Sequence, residues 1–548
     1  MISAPINSIK QTGIPKYFGK GNSEAGTMNR DKVEKFGLLI IIFILFVLIR
    51  VFVASPIYFI SMDEAKYLTL ARNFPHHTLF NNQLYLVHPP GFPYLIRLFS
   101  LALPDLFAGI TVSLVFAAAA FLAMVRIFRL FGKDFYWIAI ALFLLAVSPL
   151  HISTSRVIYK DSLFFGLFAL SLFLFLKGLI SSDRRCLYGA GVVGAVGFLT
   201  SDITILLLPA FALAYFLFRG PGSRIRDAVI PILIMSAAYS FWIITRVIIF
   251  KNNILYPVGV DGTIEYVRAF TLRQLFTPRY FPATSTMFNF RIDFSEFRIN
   301  TNVYPLQELS GIPGIGYIIA YIFIGATAIF SISKGLIRKN LRGNASIYFS
   351  FLLIIFFIPV ILHPEPRFLI PILIPICFLF AHGITLIAEI FRSPGVVKKT
   401  TALSLAAALT ILTGIYLSEH RYPVFSLKKE VEIPRTAEFI RELPDDGIMA
   451  QVGYPPELAY RTGKRVLALP ITPRVLDDFI RRYKISYLLY GQHYLAPIHT
   501  DDPTLIWCYH TIKHIREHPK RYPILRVIDE VYESGAPPDR IFIHGVAK

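Results

Sequence analysis

The sequence predicts a polytopic α-helical membrane protein with a small C-terminal α/β domain outside the bilayer, and three observations predict it. Mean hydropathy is +0.56 and only 16% of the 548 residues are charged, a balance foreign to water-soluble domains. Apolar runs long enough to cross about 30 Å of hydrocarbon recur between residues 36 and 417. Lysine and arginine cluster in alternate connections between those runs, as cytoplasmic loops require. The net charge of +20 therefore reports topology rather than a nucleic-acid partner.

Residues 1–35 read as a cytoplasmic tail, polar and rich in Gly, Asn and Ser as far as Arg30, without the apolar core and cleavage site of a secretory signal. Spans are expected at 36–54, 106–125, 135–150, 162–176, 187–200, 203–218, 228–250, 314–332, 346–362, 368–391 and 402–417, about eleven in all. Arg126, Arg129 and Lys133, then Arg184 and Arg185, then Arg219, Arg224 and Arg226, then Lys334, Arg338, Lys339 and Arg342, then Arg392, Lys398 and Lys399 fall on the inner side of this path. The external side receives the loops 55–104 and 251–313 and the tail 418–548. In the tail, short apolar runs at 447–452, 465–469, 485–490 and 540–543 alternate with helical patterns such as 472–483, which implies a small α/β fold. Cys186, Cys377 and Cys508 fall on different sides or depths of the membrane and build neither a disulfide framework nor a metal-spacing motif.

The chemistry-bearing residues gather at the outer face. Directly after the first span come Asp63 and Glu64, and acids at the mouth of a bundle mark a site unless they cap a helix. A surface helix is expected over 64–74, carrying Tyr67, Leu68, Leu70 and Ala71, with Pro75 closing it. Tyr85 and His88-Pro89-Pro90 follow in an extended turn before a second apolar stretch at 94–103, and His88 reads equally as a structural and as a titrating group. Between the third and fourth spans a very short turn collects Arg156, Lys160 and Asp161, where interfacial snorkelling competes with ion binding. Glu365-Pro366-Arg367 opens a late span, with Arg367 either a fork for phosphate oxygens or the ion-pair partner of Glu365.

This set of motifs resembles the GT-C membrane glycosyltransferases that use a polyprenyl-phosphate sugar, including protein O-mannosyltransferases and lipid A aminoarabinose transferases. The carrying pieces are 63–67, Tyr85 with His88-Pro89-Pro90, Ser155-Arg156 to Asp161, and 365–369. One departure stands out: where many members carry a lysine after Leu-Thr, this chain has Leu199-Thr200-Ser201-Asp202.

The resemblance implies a polyprenyl-phosphate-linked donor and an acceptor lipid, glycan or protein arriving from outside at the cell (plasma or inner) membrane, with inversion at the anomeric carbon. Asp63 is then the base and Glu64 orients or holds the acceptor; Arg367, with Arg156 or Lys160, meets the leaving phosphate. Tyr67, Tyr85, His88, Asp161 and Glu365 line the substrates. A divalent cation bridging Asp63, Asp161 and phosphate is chemically compatible, and no fixed ligand spacing demands it. A transporter or flippase is the rival class, but no second half mirrors Asp63-Glu64. A binding module on an inactive membrane anchor is the third.

Overall fold

The computed structural model describes residues 30–52, 62–75, 89–131, 135–219, 224–252, 341–362, 370–390 and most of 435–547, together with short strands at 78–79, 83–84, 292–293 and 298–299. Its helices are α1 (Arg30–Phe52), α2 (Met62–Arg72), α3 (Gly91–Phe99), α4 (Asp105–Phe131), α5 (Phe135–Ala146), α6 (Pro149–Ser155), α7 (Lys160–Ser181), α8 (Arg184–Phe198), α9 (Leu207–Phe218), α10 (Ile225–Asn252), α11 (Leu341–Leu362), α12 (Leu373–Ile390), α13 (Arg435–Glu442), α14 (Pro455–Thr462) and α15 (Pro503–Glu517). Among the described residues, Asp105–Phe131, Lys160–Ser181 and Ile225–Trp242 are long and apolar enough to cross a membrane; shorter apolar helices occupy Phe36–Val51, Phe135–Ala146, Asp202–Phe218, Asn344–Phe356 and Ile370–Gly383. The expected spans at 314–332 and 402–417 lie outside the described residues.

One continuous apolar core joins α1, α4, α5, α7, α8, α9, α10, α11 and α12. Stacked rings bind neighbouring helices, as between Phe175 and Phe211 (centroids 3.8 Å apart) and between Phe349 and Phe378 (3.9 Å). Apolar helices gain little by hiding from lipid, so polar contacts add specificity. Ser171 of α7 donates to Ala190 O (2.7 Å), and Tyr348 of α11 donates to Ala210 O (3.2 Å).

Two expected spans are shorter or less regular than hydropathy indicates. The 135–150 run ends its helix at Ala146, because Pro149 disfavours a helical conformation at Ser148 and starts the new helix α6. The 203–218 run begins as a 3-10 turn, Asp202–Leu206, before α9.

Strands β1 (Thr78–Leu79) and β2 (Gln83–Leu84) form a small antiparallel hairpin after α2, and β3 (Ile292–Asp293) pairs with β4 (Arg298–Ile299). In the C-terminal region β5 (Ile448–Gln451), β6 (Val466–Ala468), β7 (Tyr487–Gly491), β8 (Ile524–Glu530) and β9 (Asp539–Gly545) form one sheet in the order β6-β5-β7-β9-β8. The first three strands run parallel, with α14 crossing from β5 to β6, whereas β9 is antiparallel to β7 and β8. Four strands occupy the apolar runs that the alternation marks. β8 lies outside those runs, because a register shift between Ile524 and Arg526 breaks its period and its position at the sheet edge exposes Ile524, Leu525 and Val527.

Candidate active site

Helix α2 presents the acidic pair. It spans Met62–Arg72 rather than 64–74, so Asp63 stands in its first turn, with a side chain outside the described residues. Glu64 is buried, and its Oε1 accepts a hydrogen bond from the Ile158 amide (2.9 Å). That bond ties the acid helix to the turn between α6 and α7, where the sequence concentrates basic residues. A carboxylate on a buried amide is charge-assisted and contributes on the order of 1.5–3 kcal/mol.

The same turn is also held from α4 and α7. The Ser113 hydroxyl of α4 donates to Val157 O (2.9 Å), and the Ser162 hydroxyl of α7 donates to Thr154 O (3.0 Å). Gly109 of α4 leaves room for Ile158: a Cβ there would lie 2.6 Å from Ile158 Cγ2. Arg156 thereby takes the C-cap position of α6, while Lys160 and Asp161 open α7, both buried. Asp161 lies in the first turn of α7, where free amides favour negative charge, so it also stabilises the helix that carries it.

Tyr67 is buried one turn along α2 and meets Phe92 edge-on (centroids 5.0 Å apart), in a cluster with Ala65, Leu68, Ile96, Ile110 and Leu163. The turn after α8 supports the next piece. Gly91 N donates to Leu199 O at 2.6 Å, and a Cβ on Gly91 would stand 2.5 Å from that oxygen, so only glycine lets the start of α3 sit on the Leu199-Thr200-Ser201-Asp202 turn. This chain uses that turn as a seat for the segment after His88-Pro89-Pro90. Tyr85, His88, Glu365 and Arg367 lie outside the described residues.

Sequence reasoning missed Arg50 and His151. Arg50, in the last turn of α1, is buried; Nη1 donates to Phe46 O (2.9 Å) and Ala146 O (3.0 Å), and Nη2 reaches His151 Nδ1 (2.6 Å). Its guanidinium also covers the Phe46 ring at 3.6 Å. Arg50 thus caps the end of α5 and fixes His151 with Nδ1 as acceptor. The available signal was the one used for the acids, a charge inside an apolar run. Among the described residues no three His, Cys, Asp or Glu side chains gather as a metal site; the Asp63 carboxylate of the expected cation bridge lies outside them.

The apolar helical bundle that carries this acid-bearing helix and basic turn resembles the GT-C membrane glycosyltransferases in fold. The sequence signature described as dolichyl-phosphate-mannose-protein mannosyltransferase matches residues 87–250, from the segment before α3 through α10. The archaeal oligosaccharyltransferase AglB from Archaeoglobus fulgidus, in complex with an inhibitory peptide and a dolichol-phosphate, superposes with a TM-score of 0.52 at 12% identity, covering 90% of this chain and 72% of that one. ArnT from Cupriavidus metallidurans, bound to undecaprenyl phosphate, superposes with a TM-score of 0.51 at 11% identity, covering 93% of this chain and 97% of that one. No curated protein matches by sequence.

Proposed function

We propose that the chain is an inverting glycosyltransferase that moves a sugar from a polyprenyl-phosphate-linked donor to an acceptor hydroxyl on a lipid, glycan or protein at the outer face of the cell membrane. The observation that carries this reading is the Glu64–Ile158 hydrogen bond, which brings the helix of Asp63 against the turn bearing Arg156, Lys160 and Asp161. The lipid phosphates in the two fold neighbours and the dolichyl-phosphate-mannose of the matching family support the donor class.

Asp63 takes the acceptor's hydroxyl proton as the oxygen forms its bond to the anomeric carbon. The bond from that carbon to the phosphate oxygen breaks, its electron pair leaves with polyprenyl phosphate, and attack opposite the leaving group inverts the centre. Arg156 and Lys160 from the α6–α7 turn, with Arg367 from the late span, meet the charge that develops on the phosphate. Glu64 serves by holding that turn against α2.

The test is Asp63→Asn in the full chain, with polyprenyl-phosphate-linked mannose as donor and release of polyprenyl phosphate as the readout. The substitution keeps shape and removes basicity, so turnover should fall by about 10² to 10⁴ while the fold persists. Near-normal transfer would move the base to Glu64 or Asp161.

A further inference from the structure

Helix α2 belongs to two cores at once. Ala65, Tyr67, Leu68 and Ala71 pack with Phe92, Ile96, Ala108, Ile110, Val112 and Ile158 on the bundle side. Leu70 instead enters the apolar cluster of the C-terminal sheet, beside Ile440, Ile448, Leu458, Val466 and Ile543, with no exposed surface. The far end of the helix is tied as well. Arg72 Nε donates to Asp105 Oδ2 at the start of α4 (2.6 Å), its Nη1 donates to Tyr460 O (3.4 Å), and its guanidinium lies 3.9 Å from the centre of the Tyr460 ring. Tyr460 sits on α14, which packs on β5 and β6, yet its ring rests against the bundle-side cluster. Burial raises the Tyr460 phenol above its ordinary value, so the ring facing Arg72 is neutral at working pH.

The helix is therefore pinned at both ends, at Glu64 to the α6–α7 turn and at Arg72 to the start of α4 and to α14 of the C-terminal region. We propose that the C-terminal α/β region is a positioning module: through Leu70 and the Arg72–Tyr460–Asp105 junction it sets where the first turn of α2, and with it Asp63, stands over the bundle. This rests on the reading of Asp63 as the base. Two anchors about 12 Å apart along the axis fix how α2 lies, and one alone does not: with the Arg72 junction loosened, α2 can turn and slide on the single Glu64–Ile158 bond, and a slide of about 1 Å carries Asp63 with it. A misplacement of that size can cost on the order of a hundredfold in rate. Tyr460 and Arg72 are accordingly positioning residues that act through α2.

The experiment compares the full chain with its Tyr460→Ala, Tyr460→Phe and Arg72→Gln variants in lipid nanodiscs. Three quantities are read: amide exchange of α2 against α7, affinity for undecaprenyl phosphate, and kcat and KM with polyprenyl-phosphate-linked mannose. Tyr460→Ala and Arg72→Gln should speed exchange across Ala65–Arg72 and leave α7 unchanged. They should lower kcat on the order of tenfold while lipid-phosphate affinity stays within about twofold. Tyr460→Phe retains the ring beneath Arg72 and should restore both.

Unchanged α2 exchange in both disruptive variants overturns the proposal, as does a loosened α2 with unaltered kcat. So does a loss that phenylalanine fails to rescue, because that would assign the effect to the phenol hydroxyl. Absence of transfer by the unmodified chain counts against the glycosyltransferase reading and not against the junction, which the exchange pattern decides by itself.

Discussion

At the residue scale, Glu64 separates charge from hydrogen bonding. Its Oε1 accepts from the Ile158 amide, and a glutamine retains an acceptor oxygen where an alanine retains none. Glu64→Gln should therefore keep most of the turnover and melting temperature of the native chain. Glu64→Ala leaves the buried amide without its partner, at a cost of about 1–3 kcal/mol, and should lose both. The check is thermal unfolding alongside donor turnover; a glutamine variant as inactive as Asp63→Asn would make the charge, not the bond, the contribution of Glu64. Sequence reading named Glu64 from its position beside Asp63. The resemblance assigns the side chain to the acceptor, while its bond to the Ile158 amide could not be read, because a backbone amide gives no sequence signal. Arg50 was legible in principle, being a charge inside an apolar run, but its partners Ala146 and His151 were not.

At the element scale, two contacts make separate forecasts. Gly91→Ala would drive a Cβ to 2.5 Å from Leu199 O and disturb the Gly91 N–H bond to the same oxygen. Overpacking of this kind costs about 1–3 kcal/mol, so the melting temperature should drop, and an unchanged melt would mean that α3 shifts freely. In the C-terminal sheet, the buried His544 of β9 joins Tyr522 O through Nδ1 (2.8 Å) and accepts from the Tyr490 hydroxyl of β7 through Nε2 (2.8 Å). Burial holds its imidazole below the ordinary value, against the opposing pull of Tyr522 O, with Arg516 acting in the same direction as burial.

A depressed folded-state value means that the unfolded chain binds the proton more readily. The stability this group contributes is therefore whole above about pH 6.5 and is lost as the pH falls toward the folded value. Unfolding of this region, followed by amide exchange of β7 and β9, should ease between pH 7.5 and 5, and His544→Gln should flatten that dependence. A pH dependence unaltered by the substitution would assign it elsewhere. The β7 and β9 strands were readable from their apolar runs, whereas β8 was not, since its bulge and its exposed edge position erase the alternation on which such reading depends.

At the scale of the whole molecule, the alternate basic clusters make the topology testable. Single cysteines at positions 185 and 339, in a chain freed of Cys186, Cys377 and Cys508, should label only from inside, and those at positions 63 and 454 only from outside. An internal label at position 454 would break the eleven-span reading and remove the C-terminal region from the side of Asp63. Residue composition, the length of apolar runs and the placement of lysine and arginine are local properties, so the sequence by itself determined a chain of apolar, membrane-crossing helices and set the expectation that its acids and bases gather toward one face. Only the tertiary structure decided who meets whom. Glu64 finds the Ile158 amide 94 positions on, Arg50 finds His151 across 101, and Arg72 finds Tyr460 across 388, so that one short helix is shared between the bundle and the sheet. Periodicity reveals which face of a segment is buried, but the partner on that face is chosen by packing between segments distant in the chain, where no local pattern records it.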